Sequence, residues 1–304
     1  MSVRALRRAL VALALALVAG APTAQPPAWP DALGGRLRQV HDSGVVRIGY
    51  RADAIPFSYV GAGGHPVGYS LDLCAAIVDE LAEELGQPNL RIAYVPVTPS
   101  DRIERVAAGA VDLECGSTTN TAERRRQVAF SPAIFITGTR VAVARGSAAR
   151  SIRDLAGRRV AVIRGTTNEA AAREFDRRNR FGLQFVVADG YREALALVAE
   201  GTADALAADD VLLRGVLAEA GKAAEFRLVG DVVSFEPYGI AYPRDDAAFA
   251  AVVDRTFRRL AASGEIVWIY NRWFVRRLPT GQRLDLPLGP QLRRSFELLG
   301  LPPD

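Results

Sequence analysis

Histidine, cysteine and lysine are scarce in this chain of 304 residues: two, two and one respectively, the lysine being Lys222. Each scarcity excludes something. His41 and His65 have no Cys or His neighbour at ligand intervals, so no metal site is written in the sequence, and no cofactor is expected. The cations are almost all arginines, scattered, with a formal net charge of only +4. Without a basic stripe and interleaved aromatics, nucleic-acid binding has no support. Cys74 and Cys115 either form one disulfide or stand as two buried thiols, and their spacing decides neither. The strongly apolar run from Ala9 to Ala21 falls short of the roughly 20 residues that a membrane-crossing helix needs.

That run has another meaning. Arg4, Arg7 and Arg8 precede it and small residues follow it through Ala24, which is the pattern of a secretory signal. Residues 1–24 are therefore expected to be an export signal, and the protein a soluble one of the periplasm. The remaining length is enough for two packed cores.

The most informative stretch is Glu114 to Ser131, ECGSTTNTAERRRQVAFS. Gly116 to Thr121 are small residues that favour turns and helix N-caps. A short helix is expected over Ala122 to Gln127. A strand end, a polar loop, a helix start and the Arg124 guanidinium together make a compact carboxylate site.

The flanking chain reads strand, helix, strand, helix, strand. Strands are expected at Gly44–Tyr50, Leu90–Val95 and Val111–Glu114, with helices at Leu71–Leu85 and from Arg102 to Ala108. Such spacing argues for an α/β fold with a mainly parallel sheet, whose ligands sit beyond the carboxyl ends of the strands. Arg51, Arg102, Ser117 and Arg124 all fall there. A second unit repeats the logic: strand Arg159–Ile163, the loop Arg164 to Asn168, a helix, then an apolar strand Ala203–Ala208 ending at Asp209 and Asp210. The chain then crosses back, through Tyr238 to Pro243, to helices at Ala247–Ala262 and Ile266–Phe274. Two crossings, near 137–141 and 237–241, make a two-stranded hinge able to close two lobes on a ligand. Lobe 1 is expected to comprise residues 29–138 and 241–304, and lobe 2 residues 139–240.

From about Val45 onward the sequence resembles the periplasmic solute-binding proteins of amino-acid ABC importers, specifically those for glutamate and aspartate. The resemblance rests on Arg51 with Pro56-Phe57-Ser58-Tyr59, on Val67-Gly68-Tyr69-Ser70, on the long Glu114 to Ser131 block, and on Gly165-Thr166-Thr167. It continues through Ala208-Asp209-Asp210, Tyr238-Gly239, and Ser263-Gly264-Glu265 with Arg272-Trp273-Phe274. It implies a two-lobed, type II periplasmic-binding-protein fold. By this resemblance Arg124, helped by Ser117 and Thr119, holds the ligand α-carboxylate, and Asp209 takes the α-ammonium. Thr167 adds a hydrogen bond, and Arg51 and Arg102 hold an acidic side chain. Tyr191 stands where such proteins place a histidine, and Pro99 replaces a hydrophilic residue. Delivery to the permease subunits of an ABC transporter, by a monomer, is also implied.

Charge counting gives the same direction. A zwitterion needs one cation and one anion, Arg124 and Asp209, so two further arginines call for a further carboxylate on the ligand. Glu114 and Asp209 are the only carboxylates expected near the crevice. Two alternatives stay open: a binder of glutamine or asparagine, and an enzyme of the cyclohexadienyl dehydratase kind on the same fold. Catalysis needs a positioned acid or base, and no histidine falls in the expected crevice.

Overall fold

The computed structural model describes residues 33–303. The expected export signal lies outside the described residues. The chain opens with helix α1 (Gly35–Ser43) and strand β1 (Val45–Tyr50), followed by a small antiparallel meander, β2 (Asp53–Ala54), β3 (Ser58–Val60) and β4 (Pro66–Val67). Strands of two and three residues carry no alternating pattern, so nothing in the sequence marks this meander. Helix α2 (Tyr69–Glu84) follows, then β5 (Arg91–Pro96), α3 (Arg102–Ala107) and β6 (Leu113–Glu114). The α2 stripe of Leu73, Ile77 and Leu81 is fully buried, as its helical period requires.

After β6 comes the polar block, buried over residues 115–119. It forms only a 3-10 turn, Arg124–Arg126, before β7 (Val128–Phe130) begins. The expected helix over 122–127 is thus a single tighter turn, because Val128 must already be in the sheet. β8 (Phe135–Thr137) leads to β9 (Thr139–Ala144), a 3-10 turn at Ile152–Leu155, β10 (Arg159–Ile163), α4 (Thr167–Asn179) and β11 (Gln184–Ala188). Next come α5 (Tyr191–Ala199), β12 (Ala205–Asp209), α6 (Asp210–Glu219), β13 (Phe226–Val229), β14 (Glu236–Tyr238) and β15 (Ala241–Pro243). Helices α7 (Ala247–Ala262), α8 (Glu265–Phe274) and α9 (Pro290–Leu298) close the described chain.

Two five-stranded sheets result, ordered β5-β1-β6-β15-β7 and β11-β10-β12-β9-β13. In the first, β1 pairs in parallel with β5 and β6, while β15 runs antiparallel to β6 and β7. In the second, β10 pairs in parallel with β11 and β12, while β9 runs antiparallel to β12 and β13. Each sheet is therefore mixed, not mainly parallel. The difference has one cause: β9 and β15 are the strands on which the chain arrives from the other sheet, and each enters against the local direction. These are two α/β lobes.

β8 and β14 pair with each other, Glu236 opposite Thr137 and Tyr238 opposite Phe135, as a two-stranded ribbon between the sheets, and Tyr238 also bridges to Thr119. An aromatic cluster braces it. Phe135 lies 5.1 Å from Phe57 and 4.7 Å from Phe274 between ring centroids, and Phe57 lies 5.1 Å from Tyr238. Such contacts add about 0.5–1.5 kcal/mol per pair beyond area burial. Phe274 comes from α8, which packs on the first lobe as its aromatic content suggests; its Trp273 indole donates to Asp72 at 2.6 Å. A disulfide joins Cys74 of α2 to Cys115, the residue after β6, and settles the open question about the two cysteines. The second lobe has its own core, built from Val141, Val143, Ile152, Leu155, Val160, Val162, Leu183 and neighbours.

Candidate functional site

The polar block is pinned before it reaches the gap between the lobes. Cys115 is tethered by the disulfide, its N–H donates to Gly49 O, and Ser70 Oγ donates to Gly116 O at 2.7 Å. Further on, Asn120 N donates to Pro237 O and Gly239 N to Thr118 O, stitching the block to the hinge strand β14. Ser117, Thr118 and Thr119 are all buried between these anchors. The Ser117 and Thr118 hydroxyls have no hydrogen-bond partner in the protein.

Three guanidiniums converge on this block. Arg102, at the start of α3, donates to Ser117 O at 3.4 Å, and its Nε is buried without a partner. Burial lowers it to about 10, with help from the neighbouring Arg124 and Arg51 charges, so it stays protonated at neutral pH. Arg124 donates to Thr119 O at 3.0 Å; burial lowers its affinity for the proton, and Glu114 and Glu236 offset part of this. Arg51, just past β1, pairs through Nη2 with Asp53 Oδ1 at 3.0 Å while its Nη1 is buried and unpartnered. A buried donor without an acceptor costs about 1–3 kcal/mol, more when charged. Such a cluster is the mark of a place where an anion is expected.

The facing lobe answers with acceptors. Asp209, the last residue of β12, is buried; Oδ1 accepts from Asn168 Nδ2 at 2.9 Å and Oδ2 accepts from the Tyr238 hydroxyl. Burial, reinforced by the Glu236 charge, pushes its carboxyl up to about 7, against the hydrogen bonds and the Arg102 charge that favour ionisation. Thr167, the first residue of α4, touches both lobes. Its hydroxyl lies 3.2 Å from that of Thr119 and donates to Glu236 Oε2 at 2.7 Å. Local sequence explains its place: Thr166 caps α4 by accepting from Glu169 N, so Thr167 and Asn168 fall in the first turn beside the ends of β12 and β9. Tyr191 begins α5, is buried, and has its ring 5.7 Å from the Arg51 guanidinium carbon; burial raises its hydroxyl far above the usual phenol range.

The eight residues singled out in the sequence fall in three hydrogen-bonded groups around the crevice: Arg51 and Tyr191 through Asp53, Arg102 on Ser117 O, and Arg124, Thr119 and Thr167 in a chain that runs through Glu236, Ser234, Thr139 and Asn168 to Asp209. Arg164 is in none of them; it is exposed and paired with Asp189. Carboxylates at the crevice are more numerous than the two that the sequence pattern marks. Besides Asp209 and Glu114, the crevice holds Asp53 on Arg51 and Glu236 on Thr167. Glu114 is fully buried and neither carboxylate oxygen has a partner. A Cβ at Gly116 would collide with Glu114 Oε1 and lie 3.1 Å from Arg51 Cγ, so only glycine fits between them. Three arginines therefore face four carboxylates, and an excess of cations is no longer an argument about the ligand. Asp53 and Glu236 were legible only as neighbours of motifs, two residues after Arg51 and two before Tyr238; nothing in their own spacing marks them. Among the described residues no group of three or more His, Cys, Asp and Glu is placed to hold a metal ion.

The crevice is closed by direct contacts between the lobes. Besides Thr119 to Thr167, Asp53 Oδ2 accepts from Tyr191 N at 2.6 Å and Ser100 Oγ donates to Arg164 O at 3.5 Å. The arrangement suits a small zwitterion: unpartnered N–H and O–H donors from the first lobe on one side, a buried carboxylate from the second on the other.

Comparison with known proteins agrees with that chemistry. The L-glutamate/L-aspartate-binding protein of Pseudomonas aeruginosa is 37% identical over 93% of this chain and 93% of its own length. The glutamate/aspartate import solute-binding protein of Escherichia coli is 34% identical over 94% of each. Among solved structures, a mutant of ArgBP from T. maritima superposes with a TM-score of 0.71 at 27% identity, covering 80% of this chain and all of that one. The ancestral amino acid-binding protein AncCDT-1, a precursor of cyclohexadienyl dehydratase, does so with a TM-score of 0.67 at 29% identity, covering 79% and 99%. These matches bear out the two-lobed, type II binding-protein fold. The model of one family covers residues 46–276, and with it the whole of the crevice: the chain belongs to the bacterial extracellular solute-binding proteins, family 3.

Proposed function

We propose that this protein captures an acidic amino acid, glutamate or aspartate, between its lobes outside the cytoplasm and delivers it to the permease of an ABC importer. It is a binding protein and not an enzyme, in keeping with its family. The observation that carries the reading is the trio of buried Arg51 and Arg102 with half-buried Arg124, with unpartnered donors on the first two and on Ser117, facing Asp209 across the gap. The two relatives named for glutamate and aspartate, alike over nearly their full length, supply the ligand class.

In this reading Arg124, Ser117 and Thr119 hold the α-carboxylate, Asp209 takes the ammonium, Thr167 adds a hydrogen bond, and Arg51 and Arg102 take the side-chain carboxylate. Tyr191 lines the pocket. Arginine suits these roles because its planar fork grips a carboxylate with two parallel N–H bonds. The lobes divide at 138/139 and 240/241, export uses residues 1–24 as signal, and the protein works as a periplasmic monomer.

A neutral polar ligand, glutamine or asparagine, is the second reading. Glu114 favours it: a buried carboxylate with two unpartnered oxygens beside the arginines disfavours a further negative charge and accepts from an amide. Isothermal titration with glutamate, aspartate, glutamine, asparagine and arginine separates the two. Binding of the two acids tighter than that of the amides supports the proposal; no binding of either acid overturns it.

A further inference from the structure

We propose that Asp53 is a positioning residue of this site: it fixes Arg51 on one lobe and caps the helix that starts at Tyr191 on the other, clasping the lobes around the bound amino acid. The inference rests on the amino-acid-binding reading above and adds to it a residue with no assigned role.

Helix α5 begins at Tyr191 behind Gly190, which has no side chain to cap it, and no side chain of the helix's own lobe takes its first N–H. The first N–H groups of a helix lack intrahelical acceptors and carry its positive dipole end, so a carboxylate there is doubly favoured. Here that carboxylate comes from the opposite lobe, 138 positions away: Asp53 Oδ2 accepts from Tyr191 N at 2.6 Å. Its other oxygen, Oδ1, holds Arg51 Nη2 at 3.0 Å. The Arg51 guanidinium in turn lies over the Tyr191 ring. Three groups thus meet where the lobes touch, two on one side and one on the other. A Cβ at Gly190 would stand 2.5 Å from Asp53 Oδ2, so any other residue there pushes the carboxylate away.

The division of labour within Arg51 follows. With Nη2 held by Asp53, the planar fork is locked and the unpartnered Nη1 is left for the ligand. The Asp53–Tyr191 bond exists only when the lobes are together. It therefore favours the closed form whatever amino acid is bound, and a term shared by all ligands changes affinity without changing preference.

The test compares wild type, Asp53→Ala, Asp53→Asn and Gly190→Ala, using glutamate and glutamine as probes. Asp53→Ala is expected to weaken both ligands by about tenfold or more, seen mainly as faster release, the two factors differing because the variant also strips the counter-charge from Arg51. Asp53→Asn keeps an acceptor for the Tyr191 N–H and regains part of the loss. Gly190→Ala, which displaces the Asp53 carboxylate from the Tyr191 N–H but keeps its charge beside Arg51, also weakens both ligands and covers the case in which Asp53→Ala fails to fold. In protein without amino acid, Asp53→Ala speeds hydrogen exchange at the Tyr191 amide. Unchanged affinity in Asp53→Ala, or a loss confined to one probe, overturns the clasp. So does unchanged exchange at Tyr191. If wild type binds neither probe, the functional reading fails, and the exchange measurement still decides the clasp on its own.

Discussion

Lowering the pH should loosen the grip on the amino acid while it strengthens the ligand-free fold. The group responsible is Asp209, whose carboxyl burial pushes up to about 7. Only its ionised form suits an ammonium ion, so a protonated Asp209 must lose its proton before the ligand settles. Relative to pH 8, affinity should fall about 2-fold at pH 7, about 10-fold at pH 6 and about 100-fold at pH 5. Stability of the empty protein moves the other way. A carboxyl whose value is raised on folding contributes stability that is complete below its ordinary value of 3.8 and is lost as pH rises through about 7. Between pH 8 and pH 5 Asp209 alone should add about 2–3 kcal/mol to the empty fold. Isothermal titration across pH 5–8, run in two buffers of different ionisation enthalpy, measures both the affinity and the proton released on binding. Asp209→Asn should bind weakly and with a flat profile. Affinity in the wild type that is constant across this range would refute the reasoning, since it would mean that the ammonium is met elsewhere.

Arg124→Ala should abolish binding measurable by calorimetry, because removing one partner of a desolvated charge pair costs on the order of 2–5 kcal/mol. Arg102→Ala and Glu114→Gln should shift the preference for glutamate over glutamine in opposite directions, down for the first and up for the second, each by about tenfold from one charge near the ligand side chain; paired titrations read both. Reducing the disulfide, or replacing Cys74 and Cys115 by serine, frees a loop of 41 residues. The loop-entropy relation puts that loss at about 4 kcal/mol, seen as a lower melting temperature.

How much of this was legible in the sequence depends on the length of the pattern. Long periodic elements such as Tyr69–Glu84, Ala247–Ala262 and the strand Val45–Tyr50 announced themselves through apolar spacing. The meander over 53–67 and the 3-10 turn at 124–126 did not, because runs this short are set by what they dock against. The direction of β9 and β15 was equally hidden; it follows from the chain entering each sheet from the other. At the site, residues at strand ends within distinctive loops were found. Asp53 and Glu236 were missed because an acidic residue near a turn looks the same whether it faces water or a guanidinium. Glu114 was noticed, but nothing local revealed that both its oxygens are buried without a partner.

The two sheets differ in when their parts leave the ribosome. The second is drawn from one continuous span, Thr139 to Val229, and every strand it needs is present once that span has emerged. The first waits for β15, at 241–243, to enter between β6 and β7, and for Phe274 to reach the cluster that braces the hinge. Assembly order is thereby imposed by chain connectivity: the inserted lobe can mature first, and a chain cut short before about residue 240 would hold one finished lobe and an unfinished one with a strand-wide gap in its sheet.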